Sequence, residues 1–162
     1  MKFRISLIII FVLSAAGNAV AANSDTMTIY YEVQAINEVN VDASTVTLAV
    51  FSATAGAQPD YATSDTTYDI TTNCAVNAKK MTAVINSDMP SGLTLEITAA
   101  APTGASSEGY KSLSSSAADI VTGIDANATA DISMTIRLSA SVAAGVVAQA
   151  PRTLTVTLTD SN

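Results

Sequence analysis

Short runs in which apolar and polar residues alternate one for one, each closed by turn-forming residues, set the tightest limit on how this chain can fold. Met27, Ile29, Tyr31, Val33 and Ala35 share one face of such a run, and Thr28, Tyr30, Glu32 and Gln34 share the other. That is the signature of a half-buried strand. The alternation returns over residues 45–50, 67–71, 81–85 and 93–97, then in Ile132, Met134, Ile136, Leu138 and Ala140, and finally in Leu154, Val156 and Leu158. Threonine fills many of the polar positions, where its branched Cβ suits the pleat. Breakers fall between the runs at Gly56 and Pro59, Pro90 and Gly92, Pro102 and Gly104, and Gly145, and read as turns or loops. Residues 112–124 fit either a helical turn around Ala117 to Val121 or a short irregular strand with a loop, and the strand is preferred. With no helical period sustained over about twelve residues, the pattern predicts an all-β chain: a single antiparallel β-sandwich, jelly-roll or immunoglobulin-like.

The first residues follow another rule. Lys2 and Arg4 precede an apolar run over residues 5–13 interrupted by Ser6, and small residues follow to Ala22. Charged, apolar, small is the order of a secretory signal peptide, and the apolar run is short against the roughly 20 residues of a spanning helix. Residues 1–22 are therefore expected to be removed, residues 23–36 to form an N-terminal strand, and residues 37–162 to form the sandwich. No later segment reads as a membrane span, so the processed protein is expected outside the cell or on its surface, free of the membrane.

Charge and residue types then exclude several chemistries. The 162 residues carry seven basic and fourteen acidic side chains, a net charge of −7, with no His and one Cys. Loss of Lys2 and Arg4 with the signal peptide leaves five basic against fourteen acidic side chains, −9 on 140 residues. Without imidazole there is no Ser-His-Asp or Cys-His machinery, and a single thiol supports neither an internal disulfide nor a cysteine-rich zinc site. An acidic chain repels phosphate backbones, so no nucleic-acid partner is expected. No Asp or Glu pair stands in a sequence setting suited to glycoside hydrolysis, and no enzymatic activity or cofactor is expected.

The remaining candidates are few. Asp119, Asp125 and Asp131, with Asn127, fall in oxygen-rich loops that can hold calcium. Their spacing matches no EF-hand, and solvated acidic loops are the preferred reading. Asp60, Asp65 and Asp69 form an earlier acidic group. Cys74 either pairs between subunits or remains a small buried thiol. Asn127-Ala128-Thr129 fits the N-glycosylation pattern, and Lys79-Lys80 reads as a solvated or edge-protecting pair at a strand start. Residues 23–36 are the most informative stretch. Such a terminal strand either pairs within its own sheet or adds to the sheet of a neighbour, with Met27, Ile29, Tyr31 and Val33 filling successive pockets at the subunit interface.

The run Thr28 to Glu38, with Leu138-Ser139-Ala140 and the closing Thr153 to Thr159, resembles small exported β-sandwich subunits of prokaryotic surface fibres, the archaeal bundling pilins and their TasA-type biofilm-matrix relatives. The resemblance implies a jelly-roll-like sandwich and a terminal strand donated to the next copy of the chain. The expected function is a structural subunit of an extracellular filament, pilus or matrix fibre, with the chain itself as partner. The alternative is a monomeric secreted binding or adhesion module that uses its acidic loops, with or without calcium.

Overall fold

The computed structural model describes residues 23–74 and 79–161. The expected signal peptide lies outside the described residues. The chain divides into two units, with the boundary between Val33 and Gln34.

In the smaller unit, residues 24–33 belong to no strand, and Met27, Ile29, Tyr31 and Val33 are exposed. The strand expected over 26–35 is thus not formed, although the period-two pattern is there. Alternation gives a segment two different sides; a strand also needs a neighbour to take its N–H and C=O groups. Residues 45–50 make the same point. Val46 and Leu48 are half-buried against the core between exposed neighbours, yet the segment enters no ladder.

The larger unit is all-β. Its described strands are β1 (Asn37–Val41), β2 (Ala62–Thr72), β3 (Lys79–Ile85), β4 (Leu93–Ala99), β5 (Ser106–Ser107), β6 (Lys111–Ser112), β7 (Ala118–Ile124), β8 (Asn127–Ala140) and β9 (Leu154–Asp160), with a 3-10 turn at Val142–Ala144. They form two antiparallel sheets, ordered β1-β2-β8-β4-β6 and β5-β7-β3-β9. From β2 onward each strand lies in the sheet opposite its predecessor. The continuous crossing departs from the immunoglobulin arrangement, in which the last two strands share a sheet.

The two sheets meet through inward-pointing side chains, at every second position except at the adjacent Ile120 and Val121, where the β3–β7 register shifts. Tyr68, Ile70, Ile97, Ala99, Ile132, Met134 and Ile136 come from the first sheet, and Met81, Ala83, Ile85, Ile120, Val121 and Ile124 from the second. Together they form one buried cluster, the β-sandwich that the sequence pattern predicts. Tyr68 is the largest buried side chain and has a polar tip to satisfy. Its hydroxyl donates to the Ala100 carbonyl at 2.6 Å, and burial pushes its pKa up to about 12.

Two local features shape the surface of the first sheet. Tyr68 pairs with Ile132 and Ile70 with Thr129, so Ala130 and Asp131 together oppose Asp69. The extra residue is a β-bulge, with Asp131 at φ 57° and its amide donating to Asp69 Oδ1 at 3.0 Å. Gly92 opens β4 at φ 83°, and a Cβ there would meet Ala144 at 2.8 Å. The Ser141 amide donates to the Gly92 carbonyl at 2.8 Å, which seats the 3-10 turn on the start of β4.

The lysine pair is not at an edge. Strand β3 runs between β7 and β9, and its first two residues reach sideways to both neighbours, Lys79 to Asp160 and Lys80 to Asp119.

Candidate assembly surface

The sandwich closes differently along its two sides. On one side the chain itself crosses between the sheets: β5 pairs with β7 in the second sheet and, three residues later, β6 pairs with β4 in the first. Short bonds pin this crossing. Ser107 Oγ donates to the Ala99 carbonyl at 2.6 Å, the Glu108 amide to Ile120 O at 3.0 Å, and the Leu113 amide to Leu95 O at 2.8 Å. Leu113 is buried behind it.

On the other side the terminal strands are β1 of the first sheet and β9 of the second, and no described strand bridges them. Val39, Val41, Val46, Leu48, Leu154, Val156 and Leu158 pack against the core there but stay only partly buried. Among the described strands, β9 pairs with β3 alone. The Asn86 amide donates to Thr153 O at 3.0 Å, so odd-numbered residues of β9 turn their main chain toward β3. The N–H and C=O groups of Leu154, Val156 and Leu158 accordingly face the open side, where an added strand can pair with them. One row of residues thus offers both main-chain hydrogen bonding and half-covered aliphatic side chains.

At the Leu154 end this edge runs into an open groove of about 750 Å³. Leu48 and Phe51 come from one wall, Leu93 and Leu138 from the sheet, and Val147 and Arg152 from the segment before β9. Arg152 donates from Nη1 to Pro151 O at 2.9 Å and from Nη2 to Asp88 O at 3.2 Å. Its Nε is buried with no partner among the described residues. Lys79, Lys80, Lys111 and Arg137 each reach a carboxylate; Arg152 reaches carbonyls only. A guanidinium held by neutral acceptors retains capacity for an anion. The loop that supplies Asp88 O is itself fixed, because Asp88 Oδ1 accepts the Ser115 amide at 2.6 Å, and that bond lowers the Asp88 pKa.

Where the larger unit begins, Asn73 holds the chain. Its Nδ2 donates to Gln34 O and its Oδ1 accepts the Ile36 amide, both at 2.8 Å. The Asn73 amide in turn donates to Ile36 O at 3.2 Å. Residues 34–36 therefore belong to the sandwich, and the separate segment that carries the expected interface residues Met27, Ile29, Tyr31 and Val33 ends at residue 33 rather than 36.

The expected calcium residues are not brought together. Asp119 lies on β7 in the second sheet, paired with Lys80, and Asp125 lies between β7 and β8. Asp131 instead joins Asp42 and Asp69 on the first sheet, with their carboxylate oxygens within 4.8 Å of one another. Chain spacing could not show this grouping, because the bulge and the β1–β2 pairing create it. Asn40 Nδ2 donates to Asp42 at 3.2 Å, Thr67 Oγ1 donates to Asp42, and the Asp131 amide donates to Asp69. These bonds and solvent screening are sufficient to hold three carboxylates together at a surface.

Other sequence candidates have local roles. The half-buried Cys74 points its thiol at Ile124 O, 3.4 Å away. Thr129 Oγ1 donates to Asn127 Oδ1 within the sequon. On the outer face of the first sheet, Arg137 bonds Glu96 at 2.9 Å and stacks 3.8 Å from the Tyr110 ring centre and 5.6 Å from that of Tyr61. It ties the lateral strands together. Sequence reading missed Arg152, although a charged residue in phase with the inward Leu154, Val156 and Leu158 was a usable signal.

No described helix is long and apolar enough to cross a membrane. A scan against protein-family models finds no match for the chain, and a search of curated proteins finds none either.

Proposed function

We propose that this protein is a self-assembling structural subunit of an extracellular fibre, in which a segment of one copy adds to the sheet of the next. The observation that carries this reading is a pair of complementary deficits: an alternating segment, residues 23–33, whose apolar face is uncovered, and a sandwich whose β9 edge is unpaired and half-covered. Strand addition uses such parts, main-chain bonds giving affinity and alternate side chains giving specificity. The export signal expected at residues 1–22 and the likeness to fibre-forming sandwich subunits support the same reading and a place at the cell surface or in a matrix.

Negative-stain microscopy of the purified protein tests it. The full chain should give fibres, and deletion of residues 23–33, which leaves the Asn73 contacts in place, should give soluble subunits without fibres. Unchanged fibres from the deleted chain would overturn the proposal. A second reading, a monomeric secreted binding module, is favoured by the Asp42, Asp69 and Asp131 group. It requires a monodisperse species of one chain's mass, with a melting temperature that rises on addition of calcium.

A further inference from the structure

We infer that the acceptor is β9, and that residues 25–33 of one copy lie parallel to it in a fixed register: Asp25 beside Arg152, Met27 beside Leu154, Ile29 beside Val156 and Tyr31 beside Leu158 of the next copy. This rests on the strand-addition reading above and specifies its partner surface.

Three observations set the register. The first is phase. Residues 25, 27, 29, 31 and 33 share one side of the segment, and residues 154, 156 and 158 share the core-facing side of β9, with Arg152 in the same phase just before it. Adjacent strands put paired side chains on the same face, so these two rows must be matched. The second is length. Residues 27–33 equal the seven residues of Leu154–Asp160, an added strand of roughly 23 Å at about 3.3 Å per residue. The third is charge, which selects direction. Residues 23–36 contain two charged side chains, Asp25 and Glu32, both acidic. The acceptor row begins with Arg152, which has no carboxylate partner among the described residues, and ends with Asp160. Parallel addition brings Asp25 to Arg152. Antiparallel addition carries it to the Asp160 end, where Lys79 is already paired with Asp160 and no cation among the described residues lacks a carboxylate.

In the parallel register Thr28 lies opposite Thr155 and Glu32 opposite Thr159, all with side chains on the outer face, so engineered disulfides can read it. The test uses the full chain carrying Cys74→Ser, which should itself form fibres. Thr28→Cys with Thr155→Cys, and Glu32→Cys with Thr159→Cys, should each oxidise to a covalent ladder of multimers, because neighbouring strands bring Cα atoms within the range of about 4.4–6.8 Å that a disulfide spans. The exchanged pairs, Thr28→Cys with Thr159→Cys and Glu32→Cys with Thr155→Cys, should stay monomeric on a non-reducing gel.

A ladder from the exchanged pairs would make the addition antiparallel, overturning this register while strand addition stands. Fibres without a ladder from any pair would overturn this register on β9. A cross-linked band at one chain's mass would mean that the segment pairs with its own subunit. Absence of fibres from the Cys74→Ser parent and from the unaltered chain alike would remove the strand-addition reading itself. Asp25→Arg and Arg152→Asp should each lower assembly about three- to five-fold, with recovery in the double variant. Unchanged assembly in both single variants would exclude the Asp25–Arg152 pair.

Discussion

The two sides of this sandwich are built from the same kinds of residue and finished in opposite ways. At the β5–β6 side the chain changes sheets and covers its own core, leaving Ile97 and Ile120 at 0% exposure. At the β1–β9 side Val39, Val41, Leu154, Val156 and Leu158 point inward with the same alternation and remain half-covered. The difference is topological rather than compositional. Two short strands of two residues each are enough to close a side, provided that the chain between them crosses from one sheet to the other. Where no such crossing exists, a sheet ends in unpaired main chain and partly wet aliphatic side chains, which natural β-proteins normally shield.

That contrast can be broken or sharpened by mutation. The largest effect should come from the closed side. Ile120→Ala should cost about 2–5 kcal/mol in urea unfolding, through lost transfer energy and a cavity. Val156→Ala, on the open side, should cost roughly 1 kcal/mol in the chain lacking residues 23–33, because only part of its surface is buried. Equal costs would erase the distinction between the sides. Next in size is Gly92→Ala, just before β4. Its φ of 83° and the 2.8 Å approach of Ala144 predict a loss of roughly 1–3 kcal/mol, measurable by the same unfolding. A neutral result would mean that the turn at Val142–Ala144 shifts freely over β4.

Tyr68→Phe probes a bond that runs from the strand beside the open edge to the residue after β4. It should cost about 1 kcal/mol at neutral pH, since the Ala100 carbonyl loses its donor. The smallest effect should come from Asp88 and should fade in acid. The lowered pKa of Asp88 means that its bond to Ser115 stabilises the fold above the ordinary value of 3.8 and is lost as pH falls through the lower native value. Asp88→Asn should therefore lower the neutral melting temperature slightly and flatten its decline below pH 3.8, so that the two chains converge in acid. The unaltered chain should show the steeper decline.

The sequence pattern reveals sidedness well and partnership poorly. Strands β3, β4, β8 and β9 are legible because their apolar positions are the positions that the sandwich buries. Residues 26–35 and 45–50 carry the same pattern without a ladder, since alternation does not say which strand, if any, lies beside a segment. The short β5 and β6 leave almost no periodic signal, yet they decide which side is closed. The acidic group escapes for a related reason. Asp42, Asp69 and Asp131 are brought together by a bulge and a strand pairing, whereas Asp119 and Asp131, twelve residues apart in the chain, end in different sheets. The phase of Arg152 with Leu154, Val156 and Leu158 is legible in the sequence, but its weight follows only once β9 is known to be an edge.

The Asn73 contacts have a mechanical consequence. One side chain grips the backbone at Gln34 and Ile36, and β1 follows at once with a five-residue ladder to β2. Tension applied at residue 33 would enter the sandwich there with no slack to take up, first loading the two amide bonds of Asn73 and then β1 along its length. A ladder pulled along its axis shares force among its hydrogen bonds instead of surrendering them singly. A joint of that kind would transmit load stiffly from one repeat to the next, and Asn73→Ala would be expected to lower its yield force before it altered the unloaded fold.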